Sequence, residues 1–192
     1  MESETKEELR PGWTRKGGVM TGTVTRDRLM VIPTKFIVNA KQFLVSAYGD
    51  SVRLVMNRLA REIGISYGSL WKENGLSPEE SFRLIAEMGE TAGWGGITVD
   101  GDFKAGKKLT WTVNNCAFCA AESRAADGKC DFMSGVAEGM CRAAYGKEFS
   151  VELQMSSDIP ARKCVLMAKE ANDRKRENWR TAVYFPWLIE GQ

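Results

Sequence analysis

Between positions 52 and 71, nine apolar residues (Val52, Val55, Met56, Leu59, Ala60, Ile63, Tyr67, Leu70 and Trp71) recur at spacings of three and four; after position 96 short alternating runs replace this rhythm. The first pattern is one face of a long amphipathic helix, and the second is that of half-buried strands. A chain that keeps its helical and strand periods in separate blocks, without strict strand-helix-strand alternation, belongs to the α+β class, with an antiparallel sheet packed against helices. Local signals agree. Asn74-Gly75 stops the long helix, and Ser77, Pro78 and Glu80 then supply the cap, first-turn proline and acid of a capping box for the next. Pro33 closes an extended apolar stretch from Leu29 and releases a helix from about Lys35. Ile97 to Val99 and Leu109 to Val113 predict a hairpin, Asp131 to Tyr145 a helix stopped by Gly146, and Glu148 to Met155 and Lys163 to Lys169 two more strands.

A chain of 192 residues with 43% hydrophobic side chains can bury one substantial core, which leaves room for terminal extensions. Residues 1–17 read as a charged, flexible lead-in and 18–170 as the body. The extension at 171–192 contains TAVYFPWLIEGQ, too apolar for a solvated tail, so it is expected to dock on the body or on a second subunit. A net charge of +2 creates no field that would hold a polyanion, and no nucleic-acid partner is expected. The N-terminus lacks a signal-peptide core and no segment reaches the roughly 20 apolar residues of a membrane span, so a cytoplasmic location is expected.

The chain has five cysteines and no histidine. In a reducing compartment such an odd set reads as thiols, metal ligands or redox groups rather than as a disulfide framework. Cys116 and Cys119 have the C-x-x-C spacing that lets two sulfurs face one point, Cys130 opens the predicted helix and Cys164 lies on a late strand. Together they can form the four-thiolate shell that zinc prefers, and Glu152 can also enter, because zinc accepts a carboxylate oxygen. Buried apolar thiols, an iron-sulfur cluster and a redox C-x-x-C remain open for the same residues. Cys141, beside Ala137 and Ala144 on the apolar helix face, reads as core. Without histidine there is no Ser-His-Asp or Cys-His nucleophile system, and neither nucleotide-binding glycine motif is present.

Tyr67, Trp71, Trp94, Trp111 and Phe132 are candidates for lining an apolar ligand pocket, with core packing the competing reading of each. Trp94, between glycines in AGWGG, is a candidate gate. The pairs Gly64/Gly68 and Gly135/Gly139 leave flat helix patches, for tight helix packing or for a ligand that approaches the main chain.

The strings NNCAFC and KCDFMSGVAEGMCRAAYGKEFSVEL, followed by a last Cys-containing strand, resemble the 4-vinyl reductase domain. That family's pattern is a cysteine, a G-x-x-x-G helix, a G-K turn, a strand with Glu and a final cysteine. The resemblance covers about Leu109 to Lys169; upstream, YGDSVRLVMNRLAREIGISYGSLWKENG is similar to the region preceding this domain in small-molecule sensor proteins. It implies an α+β fold related to the TRAPP-type vesicle-transport subunits, usually dimeric, with an interior cavity for apolar or aromatic ligands and, in some members, a zinc-binding cysteine cluster. Where the sensor domains carry Glu-x-x-Cys on the penultimate strand, this chain has Glu152 and Met155. Cys116, Cys119 and Glu152 therefore compete to complete a set with Cys130 and Cys164. The expected function is binding or sensing of a hydrophobic or aromatic small molecule by a homodimer with a zinc site. The rivals are a metal-dependent enzyme or reductase accessory protein of tetrapyrrole or aromatic metabolism, with Glu152 or Glu122 carrying protons, and a structural assembly subunit.

Overall fold

The computed structural model describes residues 12–23, 28–118, 130–154 and 163–171. A small antiparallel sheet, β1 (Trp13–Lys16), β2 (Val19–Gly22) and β3 (Arg28–Leu29), leads into three helices, α1 (Thr34–Tyr48), α2 (Ser51–Glu73) and α3 (Pro78–Thr91). The main sheet is built from β4 (Gly96–Gly101), β5 (Lys108–Asn114), β6 (Phe149–Leu153) and β7 (Cys164–Glu170), with α4 (Asp131–Tyr145) between β5 and β6 in sequence. Its order is β4-β5-β7-β6 and every neighbouring pair is antiparallel, so the architecture is α+β. No helix among the described residues is long and apolar enough to cross a membrane.

The capping box of α3 forms as its sequence requires: the Glu80 N–H donates to Ser77 Oγ at 3.3 Å and the Ser77 N–H donates back to Glu80 Oε2 at 2.9 Å. The lead-in differs from expectation, because residues 13–16 form a strand. Gly17 and Gly18 both have positive φ (56° and 80°) and make the two-residue turn that pairs Lys16 with Val19. The apolar stretch after Leu29 is not a strand, and Met30 and Val31 are exposed. The segment beyond Ala171, where the docking extension was expected, lies outside the described residues.

The helix pair α2/α4 is closed by both glycine pairs. A methyl at Gly64 would overlap the Val136 carbonyl oxygen, one at Gly135 the Asn57 carbonyl oxygen and one at Gly139 the Arg61 carbonyl oxygen; at Gly68 it would lie 2.6 Å from Ala143 Cβ. The glycines therefore permit backbone-to-backbone approach of helices, the first of their two readings. This contact also rotates α2: Ala60, Gly64, Gly68 and Trp71 are buried, whereas Val55 and Leu59 of the predicted stripe are exposed. Lys72 Nζ of α2 donates to the carbonyl oxygens of Ala143 (3.1 Å) and Ala144 (3.4 Å), capping the last turn of α4.

A polar seam runs along the same junction. Glu148 pairs with Arg61 and, at 2.6 Å, with Arg142. Beside it, burial pushes the Glu138 carboxyl up to about 7, against the opposing pull of Arg61, the Val151 N–H and Asn57. Between the sheet and the helices lie Trp71, Phe82, Ile85, Leu109, Trp111, Met133, Met140 and Leu166, all essentially inaccessible to solvent. Phe82 organises this layer, with Trp111 edge-on at 5.7 Å and Phe103 and Tyr145 at 5.8 and 6.1 Å.

Candidate functional site

Cys116, Cys130 and Cys164 come from three places distant in sequence and converge inside the protein. Cys164 starts β7 and shares its inward face with Leu166 and Ala168. Opposite it, across the sheet, is Val113 of β5. Past the end of β5, Asn115 takes a left-handed turn (φ 54°), a conformation asparagine tolerates, and Cys116 follows as a buried residue. Cys130 is the residue from which α4 starts, so its sulfur lies at the helix end that favours negative charge. The three sulfurs all lie within 4.8 Å of one another, and Cys116 Sγ and Cys130 Sγ are 3.7 Å apart.

That spacing fits a metal. A tetrahedral centre with Zn–S bonds of about 2.3 Å sets neighbouring sulfurs about 3.8 Å apart. Burial suits a fold-bracing rather than a solvent-open centre. The donor set is soft, which selects zinc or an iron-sulfur cluster over magnesium or calcium. Glu152 is not brought to this group: it pairs across the ladder with Met167, on the opposite face of β7 from Cys164, and its carboxylate meets Lys169 Nζ at 3.3 Å in an exposed position. Cys119 lies outside the described residues. Cys141 is wholly buried in the core, where burial and the neighbouring Glu138 carboxyl push its thiol up, away from the thiolate that a ligand must be.

A cavity of about 270 Å³ opens where the N-terminal hairpin meets the helices, lined by Gly12, Trp13, Gly22 and Leu29 from one side and Ile63, Tyr67, Met88, Thr91, Ala92 and Trp94 from the other. None of these residues is charged. Tyr67 and Trp94 are thus the predicted aromatics that reach it. Trp71 and Trp111 are core residues, fully buried, and their indole N–H groups find no acceptor among the described residues. Trp13, Gly12, Gly22 and Leu29 were not anticipated as lining; the signal that could have found them was the Gly17-Gly18 hairpin turn.

Trp94 lines the cavity and packs against two rings that lie two residues beyond Cys116 and Cys130. Its N–H donates to the Gly89 carbonyl oxygen (2.7 Å) and its own carbonyl oxygen accepts from the Ala117 N–H (3.0 Å), so the backbone of this residue is bonded on both sides. A methyl on Gly89 would overlap Ile97 Cδ1 and press on the Trp94 ring at 3.2 Å, so glycine here makes room for both side chains. The Trp94 ring meets Phe132 edge-on at 5.3 Å and Phe118 at 6.2 Å, and those two rings stack at 4.0 Å. Phe132 is therefore one layer behind the cavity wall.

No family model matches the chain, and no curated protein matches it. Among solved structures, the phenol-responsive sensory domain of the transcription activator PoxR, with phenol, superposes with a TM-score of 0.74 at 17% identity, covering 96% of this chain and 98% of that one. A vinyl-4-reductase family protein from Methanocaldococcus jannaschii gives 0.52 at 15% identity, over 75% of this chain and 85% of that one. A trafficking protein particle complex subunit 3 from Naegleria fowleri, covalently bound to palmitic acid, gives 0.47 at 10% identity, over 72% and 95%. The fold expected from the sequence is therefore the fold observed, shared with the first two of these structures.

Proposed function

We propose that this chain is a sensory or carrier domain for an uncharged hydrophobic or aromatic small molecule, braced by a zinc ion held on Cys116, Cys130 and Cys164. The observation that carries the reading is the cavity. It has aromatic and aliphatic walls, no charged side chain among the described residues, and a volume just under the range usual for drug-sized ligands, which suits a compound of about one ring. Fold similarity to a phenol-responsive domain over nearly the whole chain supports the same class of ligand. Tyr67, Thr91 and the indoles of Trp13 and Trp94 are the lining groups with polar atoms that can orient a hydroxyl.

Zinc is supported by the sulfur spacing, with Cys119 as the fourth ligand on the strength of its C-x-x-C relation to Cys116. Bound zinc supplies cross-linking here: it ties the loop after β5, the start of α4 and the start of β7 to one point. Titration of the protein with phenol, followed by tryptophan fluorescence and calorimetry, tests the ligand reading; saturable binding that Trp94→Ala weakens is expected. Absence of saturable binding for phenol and its alkyl derivatives at millimolar concentration would sink it. Elemental analysis of protein purified without chelators separates the metals: one zinc per chain is expected, whereas iron with visible absorption would mean a cluster.

A further inference from the structure

We infer that the thiolate centre and the cavity are coupled through the aromatic wedge Trp94, Phe132 and Phe118, so that metal and aromatic ligand each strengthen the binding of the other. The inference deepens the proposed function and rests on it. Its physical basis is that the residues backing the cavity wall are the same residues that flank the sulfurs. Phe118 lies two residues beyond Cys116 and Phe132 two residues beyond Cys130, and their rings stack at 4.0 Å while the sulfurs are 3.7 Å apart. Trp94, which lines the cavity, rests edge-on against both rings, and its carbonyl oxygen is bonded to the residue between Cys116 and Phe118.

A metal that draws Cys116 and Cys130 to one point sets the separation of the two backbone segments, and with it the stacked pair against which Trp94 leans. In metal-loaded protein the wall is ordered before the ligand arrives. In metal-depleted protein part of the ligand's binding free energy is spent on ordering that wall, so affinity is lower. Because binding free energies are linked, an occupied cavity must hold the wedge in place and raise metal affinity by the same factor. Phe118 and Phe132 do not line the cavity, and among the described lining residues the ring that touches both is Trp94, through which a change at either reaches the ligand.

Calorimetric titration with phenol of the zinc-loaded protein, and of protein depleted by chelator under reducing conditions, should give affinities that differ by about tenfold, with chelator competition for zinc shifted about tenfold by saturating phenol. In the zinc-loaded protein, Phe118→Leu should weaken phenol several-fold with one zinc retained, and Phe118→Tyr, which keeps the stack, should restore it. Equal phenol affinity with and without zinc, or an unchanged affinity in Phe118→Leu, overturns the coupling and leaves the two sites standing as independent. Failure of the wild-type protein to bind phenol, or zinc, removes the proposed function itself and the coupling with it. If depletion unfolds the chain, the Phe118 pair in loaded protein decides the matter.

Discussion

At the scale of single residues, the five cysteines separate by environment. Cys130 combines burial, a helix start and two sulfur neighbours, whereas Cys141 is surrounded by core and lies beside a carboxyl that disfavours its ionisation. Cys130→Ser and Cys164→Ser should each lower bound zinc to well under one per chain, while Cys141→Ala should leave the stoichiometry unchanged; elemental analysis of the purified variants checks both. Glu138 offers a pH signature. Burial pushes its carboxyl up to about 7 in the folded chain, above the ordinary carboxylate range, so the folded state keeps a proton that the unfolded state releases at lower pH. Stability therefore falls as pH rises from about 4.5 to 7, by roughly 1–3 kcal/mol, since the group is partly solvated. Urea denaturation at pH 5 and pH 8 should show this slope and Glu138→Gln should flatten it.

At the scale of elements, the α2/α4 crossing and the N-terminal hairpin carry the predictions. Gly135 and Gly139 face the backbone of Asn57 and Arg61, not the tips of flexible side chains, so the helices must move apart to admit a methyl. Gly139→Ala should cost about 1–3 kcal/mol, seen as a fall of several degrees in Tm. The hairpin turn discriminates more finely. Asparagine accepts the left-handed conformation, so Gly17→Asn should be near neutral, whereas Gly18→Val forces a β-branched residue to φ 80° and should cost at least about 1–2 kcal/mol. Because Gly12, Trp13 and Gly22 of this hairpin wall the cavity, Gly18→Val should also weaken phenol binding, measured by calorimetry.

At the scale of the whole molecule, the described body leaves a set of large apolar side chains in solvent, among them Phe36, Phe43 and Tyr48 of α1 and Leu59 of α2. Exposure of this kind favours association of two copies. If two copies associate through these side chains, as the family resemblance implies, the double variant Phe36→Ser, Phe43→Ser should lower the mass seen by size-exclusion chromatography with light scattering; a monomeric wild type would remove that expectation. Types and order of the elements from α1 onward were legible in the sequence, because period, caps and turn residues act over a few positions: Ser77 with Glu80, Asn74-Gly75 and Gly146 sit at the helix ends they mark. Core identity was less so. Trp71 and Trp94 look alike as aromatics, yet one is sealed against Tyr67 while the other walls a cavity, since what an aromatic meets depends on elements far away in the chain. Period, caps and composition were enough for an α+β chain whose metal donors are thiolates and carboxylates, with no histidine chemistry. That Cys116, Cys130 and Cys164 converge while Glu152 is turned outward emerges with the fold, because a ladder's register is a long-range choice that sends alternate residues to opposite faces.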